Sequence, residues 1–245
     1  MNKLLLVLLL IISFNSYANN YDPKIYIPTQ AYQYLPMIQQ ELEKVFPEFP
    51  LTAYLPALIE HESCITLKHS KCWSPKSELK TKRERGVGLS QLTIAFNTDG
   101  TTRFDTLSDL VRQNPILLKE LNWNNIPYRP DLQIRAMIIL TKSNYIALRN
   151  VTSVVQRISM ADSAYNGGLG ALNKSRTICK LAIDCDPLVW FNHVERYCSK
   201  SKKVLYGNRS ACDINKDHVR DVIITRLPKY LNEVRRLKTS GTKLE

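Results

Sequence analysis

Two glutamates lie two residues apart in the apolar run ALIEHESC, Ala57–Cys64. On a helix of 3.6 residues per turn, Glu62 shares a face with Leu58, Leu55 and Leu51, with Ile59 at its edge, and Glu60 points the other way. Glu60 therefore reads as a solvated helix residue, whereas Glu62 sits within the hydrophobic stripe. Apolar burial disfavours an ionised carboxylate. A carboxyl group kept protonated near neutral pH is a general acid, the kind that protonates a glycosidic oxygen. The plain alternative is a structural glutamate near a helix end, paired with an arginine from the run of residues 82–85.

Two further segments carry suitable side chains. In GVGLSQL, Gly86–Leu92, closely spaced glycines suit a tight turn or close backbone approach, and Gln91 offers an amide able to grip a sugar hydroxyl or N-acetyl group. In AYNGG, Ala164–Gly168, Tyr165 and Asn166 set an aromatic ring beside an amide at the end of a helical pattern. A Tyr-Asn pair there is also an ordinary helix cap.

Mainly helical elements must position these residues. Ala31–Phe46 has helical spacing, with Tyr34, Met37, Ile38, Leu42 and Val45 on one side. The helix of Glu62 follows, with Pro56 near its start, where a missing N–H does least harm. Residues 65–87, including KHSKCWSPKSELKTKRERG, read as a long basic loop facing a partner. Helical patterns resume at Phe104–Leu121, Leu132–Leu148 and Val151–Ala164, the last stopped by Asn166-Gly167-Gly168. The span 171–215 reads as loop-rich. From His218 onward Val219, Val222, Ile223, Leu227, Tyr230 and Val234 recur at helical spacing, and Pro228 is expected to break or bend that helix. Strand patterns amount to a short hairpin within 73–105. The class is mainly α, in one domain, residues 19–245.

The first eighteen residues read as an export signal: Lys3, the apolar stretch Leu4–Ile12, and Ser16-Tyr17-Ala18 as a cleavage site. The apolar run is shorter than the ~20 residues of a membrane-spanning helix, so no stable membrane insertion is expected once the leader is removed. The chain carries a formal charge of +12, or +11 without Lys3. That balance favours an anionic polymer as partner, and export weighs against nucleic acid. Cys64, Cys72, Cys179, Cys185, Cys198 and Cys212 form an even set in an exported chain, which argues for disulfides. The expected pairing is local, Cys64–Cys72, Cys179–Cys185 and Cys198–Cys212, each stapling one short loop. His61, His69, His193 and His218 fall in no metal-binding spacing, so neither metal nor cofactor is expected.

The order of the segments resembles the soluble, goose-type-lysozyme-like lytic transglycosylase family. Its Glu-Ser motif is matched by Glu62-Ser63, its Gly-Leu-x-Gln-apolar motif by Gly88-Leu89-Ser90-Gln91-Leu92, and its Ala-Tyr-Asn-x-Gly motif by Ala164–Gly168. A late motif carries a tyrosine in the closing helix, a place taken by Tyr230 in RLPKYLNEV. The resemblance covers roughly residues 50–235. The interval from Glu62 to Gln91 is longer than usual, and the cysteine-rich span 173–215 is an elaboration; both bear on substrate preference more than on chemistry.

The resemblance implies a lysozyme-like fold with a small β-hairpin or loop region near a cleft. It implies a periplasmic or secreted monomer acting on peptidoglycan glycan strands without a cofactor. Glu62 is implied as the catalytic acid and base that cleaves the MurNAc-β-1,4-GlcNAc bond and forms a 1,6-anhydro product. Tyr165 is implied to orient Glu62, and Ser63, Gln91, Asn166 and Tyr230 to contact or position the substrate. A hydrolytic lysozyme on the same fold would need a second carboxylate, for which Glu84, Asp99 and Asp105 are the candidates. A binder of cell wall or nucleic acid would instead rely on Lys80, Lys82, Arg83 and Arg85.

Overall fold

The computed structural model describes residues 22–241, so the expected leader, residues 1–18, lies outside the described residues. After a short 3-10 turn, Thr29–Gln33, come α1 (Leu35–Val45) and α2 (Tyr54–Ser63). Each carries a proline in its first turn, where no intrahelical N–H bond is lost. Every residue from Tyr54 to Glu60 is buried, so α2 runs through the interior with no solvated face up to its last turn.

The basic stretch is a loop only as far as residue 77. Residues 78–105 fold as a four-stranded antiparallel meander: β1 (Glu78–Lys80), β2 (Glu84–Val87), β3 (Leu92–Phe96) and β4 (Thr102–Asp105), in that order. Lys80 pairs with Arg85 across the first hairpin, and the Thr81 hydroxyl accepts from the Arg83 and Glu84 N–H groups to close its turn. The expected single hairpin was too little. All three residues of β1 are exposed, so the strand has no apolar alternation to betray it.

Asp105 ends β4 and caps α3 (Thr106–Gln113) by accepting from the Ser108 N–H at 2.9 Å. A single turn, α4 (Pro115–Leu118), leads to α5 (Pro130–Ala147) and α6 (Val154–Gly167). Gly168, at φ +85°, separates α6 from α7 (Leu169–Lys180), so the first part of the expected loop-rich span is helical. A small hairpin, β5 (Val204–Tyr206) and β6 (Arg209–Ser210), precedes α8 (Ala211–Arg220), which opens with a Ser210–Asp213 capping box. Residues 221–226 then widen into a π-helical stretch before α9 (Leu227–Gly241). Pro228 cannot donate to the carbonyl four residues back and its ring crowds it, which accounts for the widening. The helical chain runs on through Pro228 rather than breaking there.

One apolar cluster joins α1, α2, α5, α6 and the closing helices. Within it α2 packs on the π stretch and α9, α6 packs on α5 and α8, and α1 packs on α5. The class is mainly α. Cys64–Cys72, Cys179–Cys185 and Cys198–Cys212 are disulfide-bonded, the local set. Among the described residues no helix is long and apolar enough to cross a membrane.

Candidate active site

Glu62 lies in the last turn of α2, where the apolar stripe runs out. Its side chain is 15% exposed and its Oε1 is 2.9 Å from Nε2 of His218 on α8. The imidazole is buried; its Nδ1 lies 2.8 Å from Oδ2 of Asp162 on α6, which is fully buried. The other oxygen of Asp162 accepts a hydrogen bond from the Tyr54 hydroxyl at 2.9 Å. The result is a chain of four side chains from three helices, Tyr54–Asp162–His218–Glu62, running from the core to the surface. The expectation that Glu62 is desolvated by leucines is therefore corrected: its near neighbour is a polar, titratable ring.

Burial alone would push the His218 pKa down. The charges and hydrogen bonds of Asp162 and Glu62 together outweigh burial, and the pKa rises to about 10. The Tyr54 hydroxyl is held well above its usual range by burial and by the Asp162 charge. A second histidine sits beside this chain. The His61 ring meets His218 edge-on with centroids 4.2 Å apart, and its Nδ1 is 2.6 Å from Oδ2 of Asp221, which also accepts from Arg226 Nε at 2.5 Å. Burial raises the Asp221 pKa, but the hydrogen bond from His61 and the charge of Arg226 prevail and hold it down at about 2.

The turn between β2 and β3 is tied to the end of α2 through Ser77, whose hydroxyl donates to the Ser63 carbonyl at 3.3 Å and whose carbonyl accepts from the Gly88 N–H at 2.7 Å. The Tyr165 hydroxyl donates to the Ser90 carbonyl at 2.6 Å, joining the end of α6 to the turn between β2 and β3. Burial, then the charge of Glu62, then that of Asp162 raise the Tyr165 pKa well above the usual phenol range. Gly88, at φ +85°, is required in that turn: a Cβ there would stand 2.1 Å from Oε1 of Gln133, the atom that accepts from the Leu89 N–H. Gln91 spans its own turn, donating from Nε2 to the carbonyls of Gly88 at 2.9 Å and Ser77 at 3.3 Å. Asn166 is exposed and its Oδ1 accepts from Asn215 Nδ2 at 2.9 Å.

Two expected contact residues lie inside the protein. Ser63 is buried; its hydroxyl donates to the Ile59 carbonyl at 2.7 Å and accepts from the Trp73 N–H at 3.2 Å, tying the end of α2 to the Cys64–Cys72 loop. Tyr230 is fully buried and donates to Oε2 of Glu60 at 2.6 Å.

Glu60 itself overturns the expectation of a solvated residue. It is fully buried, and its Oε1 receives Lys229 Nζ at 2.5 Å and Arg226 Nη1 at 2.8 Å. The helical wheel assigned it to the far side of α2 from the leucines, and that side is covered by the π stretch and α9. Burial lowers the Lys229 pKa, and the charge of Glu60 opposes that fall.

The candidate second carboxylates are engaged elsewhere. Asp105 caps α3 and accepts from Trp123 Nε1 at 3.0 Å, Asp99 binds Thr101 in the β3–β4 turn, and Glu84 accepts from the Tyr206 hydroxyl at 2.9 Å. Among the described residues no group of three or more His, Cys, Asp or Glu side chains is arranged to hold a metal ion.

Sequence reasoning missed Asp162 and His218. Each left the same signal as Glu62: an ionisable residue within an apolar helical pattern, Asp162 among Ile158, Ala161 and Ala164, and His218 beside Val219 and Val222. Three such residues on three helices need partners, and one another are the partners available. Comparison with protein-family models, curated proteins and solved structures gives no match.

Proposed function

We propose that this protein is a lytic transglycosylase of lysozyme-like fold, exported to the periplasm or beyond. It would cleave the MurNAc-β-1,4-GlcNAc bond of peptidoglycan and leave a 1,6-anhydro end. The observation that carries this reading is the joining of three motif segments: Ser77 ties the turn that holds Gly88, Ser90 and Gln91 to the Ser63 carbonyl beside Glu62, and Tyr165 on α6 is bonded to the same turn. A mainly α architecture with a small antiparallel sheet beside that turn, and three disulfides, agree with such an enzyme in an oxidising compartment.

Glu62 first gives a proton to the glycosidic oxygen as the bond to C1 of the muramic acid breaks. It then takes the proton of that sugar's C6 hydroxyl, whose oxygen closes on C1. A tethered nucleophile replaces water, so no second carboxylate is needed to activate one. The structural roles of Asp99, Asp105 and Glu84 favour this outcome over hydrolysis. Asn166 is open to a sugar; Ser63, Gln91 and Tyr230 serve by fixing backbone or helix positions.

Mass spectrometry of fragments released from purified peptidoglycan, by the mature chain and by its Glu62→Gln variant, tests the reading. Fragments one water lighter than hydrolysis products, made only when Glu62 is present, are expected. Reducing-end products would move the protein to the lysozymes, and equal digestion by the variant would remove Glu62 from the chemistry.

A further inference from the structure

We propose that His218, anchored by Asp162, is the positioning residue that keeps the proton of Glu62 in store, lending it through Nε2 for bond cleavage and taking it back afterwards. This rests on Glu62 being the acid and base of the reaction.

The inference follows from counting protons along the chain. The Glu62–His218 and His218–Asp162 contacts, at 2.9 and 2.8 Å, each need one proton between their heavy atoms. An imidazolium supplies both, with both carboxylates ionised. A neutral imidazole supplies one, and the other must then sit on a carboxyl. Two arrangements share the same hydrogen bonds: Nε2–H donating to a Glu62 carboxylate, and a Glu62 carboxylic acid donating to Nε2. They differ by one proton moved between Nε2 and Oε1. In both, Asp162 holds Nδ1–H, and the Tyr54 hydroxyl occupies its other oxygen.

The charges around His218 agree with storage there. From α2 it meets Glu62 and the edge of the His61 ring, and from α6 it meets Asp162, whose other oxygen holds the Tyr54 hydroxyl. From the π stretch Asp221 faces His61 and is itself held by Arg226, so its negative charge offsets any positive charge on His61. The two carboxylates in direct contact raise the basicity of the imidazole.

The steps balance. The Nε2 proton passes to Oε1 and on to the glycosidic oxygen, which leaves with the electron pair of the C1–O bond. Two carboxylates and a neutral imidazole then lie beside the cationic sugar ring, an arrangement that stabilises it. The C6 oxygen attacks C1, and its proton returns through Glu62 to Nε2. No net proton is gained or lost.

The test is the pH profile of kcat/KM on purified glycan strands for the full mature chain and for its His218→Gln and Asp162→Asn variants. His218→Gln can still donate a hydrogen bond to Glu62 but cannot lend a proton. Its activity is expected only where an unaided carboxyl carries its own proton, near pH 4–5. The loss at pH 7 is then on the order of 10²–10³-fold, recovered on acidification. Asp162→Asn should move the alkaline limb of the profile in the same direction by a smaller amount. A His218→Gln profile lowered equally at every pH would reduce His218 to packing and overturn the proposal. Should that variant not fold, the proton NMR titration of His218 in the intact chain decides. A midpoint well above pH 8 agrees; one near or below the ordinary imidazole value overturns it. Digestion by Glu62→Gln would instead sink the functional reading beneath it, so the two failures are distinct.

Discussion

Two glutamates on one helix, separated by a single residue, have been given opposite lives. Glu60 faces inward and is bound by Lys229, Arg226 and Tyr230. Glu62 faces outward at the helix end and is bound by His218. Arg226 and Lys229 both reach Glu60 Oε1, so that cluster is an ionic joint between α2 and the closing helices. The cation beside Glu62 is an imidazole held between two carboxylates, with Nε2 on Glu62 and Nδ1 on Asp162. A carboxylate paired with lysine and arginine holds a structure together; one paired with histidine can exchange a proton.

That contrast fails most visibly if Glu62→Gln is still active. The substitution should lower turnover on cell wall by on the order of 10³-fold or more, while the unfolding midpoint in urea falls by less than in Glu60→Gln, because Asp162 still holds His218. Glu60→Gln should do the reverse. It leaves Lys229 and Arg226 buried without their anion, at a cost of about 3–5 kcal/mol read as a lower urea midpoint, while the remaining folded protein keeps its turnover.

The pH dependence of stability divides the same way. The folded-state pKa of His218, about 10, stands above the ordinary imidazole value, so its contribution is complete below about pH 6.5 and is lost as pH rises through about 10. Asp221, held down at about 2, contributes above the ordinary aspartate value and loses that contribution as pH falls through about 2. The wild-type urea midpoint should therefore decline on the alkaline side. His218→Gln should start lower and lack that part of the decline.

The two tyrosines make the finest comparison. Tyr230→Phe removes a donor from buried Glu60 and should cost about 1–3 kcal/mol in stability with no change in kcat. Tyr165→Phe removes the bond to the Ser90 carbonyl and should cost only ~1 kcal/mol. Its effect should be seen instead as a fall of about tenfold in kcat/KM, from loosened placement of the turn beside Glu62.

The helices were legible because their apolar faces repeat at 3.6 residues. The expected spans at Ala31–Phe46, Leu132–Leu148 and Val151–Ala164 lie over α1, α5 and α6, each displaced by a few residues at its ends. The disulfide partners were legible because each pair is close in sequence, 6 to 14 residues apart, and a short loop brings its own ends together. The four-stranded sheet was not, because β1 is exposed throughout and β4 nearly so, and strands without a buried face leave no alternation.

The sequence by itself thus determined the helical class, the local disulfides and the presence of an unusual carboxylate at Glu62. It could not settle the environment of either glutamate, because periodicity describes a helix against an assumed solvent on one side. Here α2 is enclosed, and its partners come from 100 to 170 residues further along the chain: Asp162, His218, Arg226, Lys229 and Tyr230. Only the packing of α6, α8, the π stretch and α9 around α2 decided which glutamate became a buried joint and which was left beside a proton-bearing ring.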